Sequence, residues 1–178
     1  MEPTEIAGLL KKERFPLEVK GITEFRGQVS VTVGKGKIVE ILQFLHDTPE
    51  LSFDYLEDLC GMDYLGRKEP RFEVVYHLYS MDHRHRIRIK AEVPEEDCVI
   101  DSVVDIWEGA NWHERECLDM FGIVFNGHPD LRRILMPEDW EGYPLRKDYP
   151  VEGPEKKWRG FVEVLDKAER FKQFEWKG

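Results

Sequence analysis

Apolar positions along this chain change period several times, and each change marks an element. Ile6, Leu9 and Leu10 recur at i, i+3 and i+4 behind Thr4, which predicts a short helix capped by Thr4 and running to Arg14. Ile22 to Arg26 and Val29 to Val33 flank Gly27-Gln28. Val29, Val31 and Val33 alternate with polar residues, as a half-buried strand of a hairpin requires. After Gly34 and Gly36 the period turns helical, with Ile38, Ile41, Leu42 and Leu45 on one stripe that stops near Thr48-Pro49. Phe53 to Tyr64 fits strand and helix about equally and reads as mostly strand ending in a turn. Arg71 to Met81 and His85 to Val93 are clearer. In the second, Ile87, Ile89, Ala91 and Val93 alternate with Arg86, Arg88, Lys90 and Glu92, and Met81-Asp82-His83-Arg84 makes the turn of a long antiparallel hairpin.

Pro94 and Glu95-Glu96-Asp97 break that strand. Ser102 to Trp107 has room for one turn of helix, and Asn111 is placed to cap a helix from Trp112 to Phe121 that Gly122 ends. Strands arrive mostly as adjacent hairpins, so the predicted class is α+β: an antiparallel or mixed sheet with helices on one face. The expected division is a core over residues 1–127 and an extended, proline-rich tail over 128–178. Pro129, Pro137, Pro144 and Pro150 fix φ and push their predecessors toward extended backbone, so the stretch to Pro150 cannot coil or sit centrally in a sheet. Phe125, Trp140, Tyr143 and Tyr149 lie in or beside it, and large rings with a polar edge suit an interface. Gly160 to Trp176 reads as a short strand, Phe161 to Leu165, followed by a helical pattern.

Composition narrows the function. The 178 residues fit one domain, and 35% charged residues leave a heavily solvated exterior. A net charge of -10 argues against nucleic acid, whose binders cluster Lys and Arg. Cys60, Cys98 and Cys117 are odd in number and far apart, which is reduced, intracellular usage. Apolar runs are far shorter than the roughly 20 residues that cross a bilayer, and the first residues lack the order of a signal peptide.

Candidate chemistry is sparse. His113-Glu114-Arg115-Glu116-Cys117 resembles a zinc-protease helix with Cys in the second ligand position, but a third ligand is missing, and neither Cys60 nor Cys98 has a companion His or Cys at ligand spacing. Glu114 and Glu116 point about 200° apart on a helix, whereas Glu116 and Asp119 share a side, and Arg115 is spaced to pair with Asp119. His83 and His85 form H-x-H at a turn and read as solvated. Gly34-Lys35-Gly36-Lys37 lacks the first Gly and the Ser/Thr of a phosphate loop. The sequence thus points to docking before it points to catalysis.

Residues Ala110 to Pro150 closely resemble the signature region of the C-type subunit of the proton-pumping NADH:quinone oxidoreductase, respiratory complex I. Glu114-Arg115-Glu116, Asp119-Met120-Phe121, His128, Arg132, Ile134-Leu135 and DWEGYPLRKDYP carry the resemblance. Upstream, Phe53-Asp54-Tyr55-Leu56, Asp63-Tyr64, Arg71 to Tyr76 and Gly109 to Trp112 extend it. The resemblance implies a scaffold polypeptide of the hydrophilic arm that holds the D-type subunit near the quinone site. The cluster-bearing B-type subunit and other arm subunits are implied as further partners. It implies no cofactor in this chain, because NADH, FMN, iron-sulfur clusters and quinone are bound by other subunits. It also implies a peripheral place on the cytoplasmic face of the membrane, reached only through the complex.

The charged anchors expected at the partner interface are Glu114, Arg115, Glu116, Asp119, His128, Arg132, Arg133, Arg146, Lys147 and Asp148, and the apolar ones Trp140, Tyr143 and Tyr149. A tail with little self-contact cannot offset its ordering entropy, so Pro129 to Gly178 is expected to be protease-sensitive in the isolated chain. Two alternatives stand beside this reading. One is the equivalent subunit of a membrane-bound hydrogenase or a ferredoxin- or deazaflavin-linked dehydrogenase. The other is a small metal-dependent hydrolase built on His113, Glu114 and Cys117.

Overall fold

A computed structural model describes residues 1–153 and 159–172. Helix α1 (Pro3–Leu9) continues into one π-helical turn, Leu10–Arg14. Its start differs from expectation: Thr4 lies inside the helix, and Glu2 is the cap, its own N–H held at 2.9 Å by Glu5 three residues on. Carboxylates suit this end because the first N–H groups of a helix lack internal acceptors.

Strands β1 (Val19–Phe25) and β2 (Gln28–Gly34) form the expected hairpin, and α2 (Ile38–Asp47) buries Ile38, Ile41, Leu42 and Leu45. Then come β3 (Tyr55–Asp63), β4 (Phe72–Tyr79) and β5 (Arg86–Val93). The sheet order is β1-β2-β5-β4-β3, antiparallel throughout except where β5 inserts parallel to β2, pairing Val31 with Ile89 and Val33 with Ala91. The sheet is therefore mixed.

One face carries Val29, Val31, Val33, Ile87, Ile89, Ala91, Val74, Tyr76 and Leu78, all buried with the stripe of α2 and with Ile6, Ala7 and Leu10. The alternate positions form the opposite face, where Lys20, Lys68 and Lys90 meet Glu73 and Glu92. Period-2 alternation is the cause: nearly all the apolar side chains of these strands share one side in this register, with Val75 an exception.

Three features depart from the sequence reading. Two three-residue strands, β6 (Val99–Asp101) and β7 (Val124–Asn126), pair in parallel, too short for periodicity to reveal. Helix α3 spans Ala110–Phe121 with Gly109 as its cap, so Asn111 lies inside the helix rather than at its start. The segment expected as a strand, Phe161 to Leu165, belongs to helix α4 (Arg159–Lys172); the β-branched Val162 and Val164 suggest strand locally, yet every described side chain from Val162 to Arg170 is exposed. The end of the helical pattern, at Trp176, lies outside the described residues.

The two histidines of the β4–β5 turn are tied down rather than free in solvent. His83 meets the Pro49 carbonyl at 2.9 Å, and His85 meets those of Met1 and Leu51 while stacking on Phe53 at 4.8 Å. Lys35 of the glycine-lysine turn is a tether as well, donating to Asp97 and to the Val99 carbonyl.

Candidate docking interface

Helix α3 runs along the edge strand β3, and a glycine sets how closely. A Cβ on Gly61 would lie 2.5 Å from the Phe121 ring, so any larger residue would lift the end of α3 off the strand. Gly122 then stops the helix at φ 73, a conformation that favours glycine, and a Cβ there would lie 2.5 Å from the Tyr143 ring. The chain that follows turns back and straps itself to this end of the helix.

Asp119 is the clasp. It has no exposed surface, and its carboxylate accepts the backbone N–H groups of Ile134 (3.0 Å), Leu135 (2.7 Å) and Met136 (2.8 Å) and the Arg133 guanidinium (2.6 Å). Burial pushes its pKa up, but the Met136 N–H, the Arg133 charge and the N–H groups of Leu135 and Ile134 outweigh that and hold it below the usual carboxylate range. Arg133 also donates to the carbonyls of Trp140 and Gly142 and lies over the Tyr143 ring at 5.4 Å. Arg146 donates to the Phe121 carbonyl at 2.6 Å, where an unpaired helix C-terminal oxygen favours a cation, and stacks over Tyr143 and Phe72.

A second clasp lies at the C-terminal end of β3. Arg71, 3% exposed, donates to Asp63 at 3.0 and 2.8 Å, to Asp148 at 3.1 and 2.8 Å, and to Glu95 at 2.7 Å. Asp63 also accepts the Lys147 N–H at 2.8 Å. Against its burial, the Arg71 guanidinium and the N–H groups of Lys147 and Leu65 bring Asp63 down to about 2. A guanidinium presents five donors in a fixed fork, which is why one arginine can join β3, the strap and the loop after β5.

The residues expected at an interface therefore separate. Glu114 is fully buried: it accepts Ser102 Oγ at 2.6 Å and the Val103 N–H at 2.7 Å, and burial pushes its pKa up to about 7 against those two bonds. Arg115 does not pair with Asp119. It donates to the carbonyls of Arg132 and Arg133 and covers Trp112 at 5.3 Å, because Arg133 already occupies the carboxylate. Glu116 is exposed although Asp119 is not, so the two sit in different surroundings despite their spacing.

His128 bridges the strap's start to α3, its Nε2 on the Asn111 carbonyl at 3.2 Å and its Nδ1 accepting the Asp130 N–H at 3.0 Å. Arg132 is exposed and paired with Asp130. Tyr149 donates its hydroxyl to the Glu141 carbonyl at 2.9 Å, and Trp140 and Tyr143 are half-buried. Lys147 and Asp148 are exposed, although both also serve the second clasp. The segment up to Tyr149 has far more self-contact than its sequence suggests. Among its exposed charged residues it also leaves apolar ones outward, Leu135 at 61% exposed and Leu145 at 49%, and Trp112 of α3 is 62% exposed. All three fall in stretches that carry the family resemblance, but none was expected as an interface anchor, since a single exposed apolar residue carries no such signal.

The hydrolase arrangement does not assemble. Glu114 points into the core, Cys117 is buried, and His113 faces Asp58 at 3.6 Å.

Fold and seam together describe an α+β domain that carries a carboxylate-stapled strap along one edge of its sheet. The chain belongs to the family of the respiratory-chain NADH dehydrogenase 30 kDa subunit, whose model matches residues 31–155. The C-type subunit of the NADH-quinone oxidoreductase of Roseiflexus castenholzii is 57% identical over 149 residues, 84% of either chain. That of Geobacter sulfurreducens is 52% identical over 145 residues, 82% of this chain and 88% of that one. Among solved structures, a trypsin-resistant fragment (1–134) of Nqo5 is 33% identical, with a TM-score of 0.62 over 71% of this chain and 98% of the fragment. A chain of an archaeal membrane-bound sulfane sulfur reductase shares the fold at a TM-score of 0.68 and 23% identity, covering 94% of this chain and 92% of that one. Among the described residues, no helix is long and apolar enough to cross a membrane.

Proposed function

We propose that this chain is a non-catalytic scaffold of an NADH:quinone oxidoreductase, one that holds the D-type subunit near the quinone site while electrons pass through cofactors of other subunits. The observation that carries the reading is the strap. Its inner side is clasped by Asp119 and Arg71, and its outer side presents Leu135 and Leu145; with the exposed Trp112 of α3 these are aromatic and aliphatic anchors without a covering element among the described residues. The D-type subunit meets that outer side, with the B-type subunit and other arm subunits beyond it, and the chain reaches the cytoplasmic face of the membrane through them. The curated relatives named as NADH-quinone oxidoreductase subunits favour NADH and quinone over the hydrogenase-type alternative. The fold alone does not choose, because the sulfane sulfur reductase chain has it too.

The test is binding of the purified D-type subunit to the full chain and to a Trp112→Ala, Leu135→Asp variant. Loss of central anchors costs about 2 kcal/mol or more, a weakening of about 30-fold. Wild-type affinity in the double variant would overturn the assignment of this surface.

A further inference from the structure

On the sheet face opposite the α2 stripe, the antiparallel register sets Asp58 directly across from His77, with Cys60 two residues along the same strand. All three project to one side, and their ligating atoms lie within 4.8 Å of one another. His113 of α3 approaches the same carboxylate, its Nδ1 3.6 Å from Asp58. Arg88, opposite His77 on β5, is turned toward Gln28 at 2.6 Å and Ser30 at 3.4 Å. Each of the three side chains is half-buried, so the group is reachable from solvent without being loose.

We infer that Asp58, Cys60 and His77 form a binding site for a borderline-soft divalent cation of the zinc class. The donor set decides the class. One thiolate, one imidazole and one carboxylate match the ligands zinc takes, whereas magnesium and calcium take oxygen alone. Tetrahedral zinc holds its ligand atoms about 3.5 Å apart, so closing the set requires side-chain shifts of about 1 Å, within the freedom of half-exposed rotamers. On binding, the Cys60 thiol gives its proton to solvent, and two anionic ligands balance the cation. Asp58 offers one oxygen to the metal while His113 stands beside the carboxylate, or His113 turns to complete the shell. The ion would be redox-inert and would tie β3 to β4, and α3 to both where His113 completes the shell. The inference goes beyond the scaffold reading and stands or falls apart from it.

The sequence concealed the group because its members are joined across strands. Cys60 has no companion at ligand spacing along the chain, and its companion is His77, seventeen residues on in the neighbouring strand.

The experiment is titration of the metal-free full chain with zinc chloride by calorimetry, and with cobalt(II) followed by optical absorption. Expected are one equivalent bound, a thiolate-to-cobalt charge-transfer band, and protection of Cys60 from iodoacetamide by zinc, read by mass spectrometry on the unaltered protein. Cys60→Ser should abolish the band, and His77→Gln should weaken zinc by at least about tenfold, while Cys117→Ser changes neither. No stoichiometric binding, equal alkylation of Cys60 with and without zinc, or loss of binding in Cys117→Ser would overturn the site.

Discussion

The two ends of α3 each bury a carboxylate completely, and the two carboxylates behave oppositely. Glu114, in the first half, receives one hydroxyl and one N–H and no cation, and burial wins: its pKa rises to about 7. Asp119, in the last turn, receives three N–H groups and a guanidinium, and burial loses. Equal exclusion from water gives opposite charge states because the number and charge of the donors differ, not the depth. The consequence is structural. The Glu114 end joins α3 to the 102–103 loop as part of an ordinary core, whereas the Asp119 end holds a strap that leaves Leu135 and Leu145 exposed.

The most damaging way to break this contrast is at Asp119. In Asp119→Ala, three backbone N–H groups and Arg133 lose their acceptor together, and breaking one partner of a buried, hydrogen-bonded ion pair costs about 3–5 kcal/mol. Chemical denaturation should report a loss in that range, and limited trypsinolysis should cut within 131–149 far faster than in wild type. Unchanged proteolysis in this segment would mean that the strap is held by its rings and prolines rather than by the carboxylate.

Glu114 sharpens the comparison through pH. Its folded pKa of about 7 lies above the ordinary value of 4.5, so between these two the unfolded chain has released a proton that the folded chain keeps. Stability is fully present below about pH 4.5, falls as pH rises toward about 7, and levels off above; the span is at most about 3 kcal/mol. Asp119 and Asp63 act in the opposite sense. Their depressed pKa values give stability that is present above the ordinary carboxylate value and is lost as pH falls through the folded one, toward about 2 for Asp63. Glu114→Gln keeps an acceptor for the Val103 N–H and sets an amide N–H against Ser102 Oγ, which turns from donor to acceptor, so it should flatten the decline between pH 4.5 and 7 and leave the acid limb alone. Denaturation midpoints across that range decide it, and an unaltered slope would show that Glu114 is ionised in the folded protein.

These contrasts also mark what the sequence could reveal. The β4–β5 hairpin, the β1–β2 hairpin and the stripe of α2 were legible because each is written in local periodicity, which a single register or helix face must obey. The mixed order of the sheet was not legible in detail, since β5 reaches β2 only through pairing across more than fifty residues. The strap was legible as a non-helical, ring-rich strip, and Asp119, Arg133 and Arg146 stood out in or beside it as charged residues; each holds the strap to α3. Their partners were not legible. Arg71 meets Asp148 across seventy-seven positions, and the i,i+4 spacing of Arg115 and Asp119 suggested a pair that Arg133 pre-empts. Local spacing proposes ion pairs, and tertiary geometry selects among them.

Gly122 tests whether the strap depends on backbone as much as on charge. Alanine there adopts a left-handed φ at a cost of about 1 kcal/mol, and its methyl would press on Tyr143, so the combined loss should be about 1–3 kcal/mol. A companion Tyr143→Ala change should recover the steric part alone. If Gly122→Ala, Tyr143→Ala is no more stable than the sum of the two single changes, the ring does not rest on that glycine.

The smallest effect belongs to Arg132, and it discriminates most finely between fold and interface. Its guanidinium is 65% exposed and pairs with Asp130 two residues away, a geometry in which solvent screens nearly all of the attraction. Arg132→Ala should leave the melting temperature of the isolated chain unchanged within error. If Arg132 also belongs to the surface that meets the D-type subunit, the same substitution should slow association and reduce its dependence on salt, because an exposed charge at an interface rim acts on encounter rather than on packing. A fall in melting temperature would move Arg132 to the inner, clasped side of the strap. Unchanged association kinetics at low salt would remove it from the interface altogether.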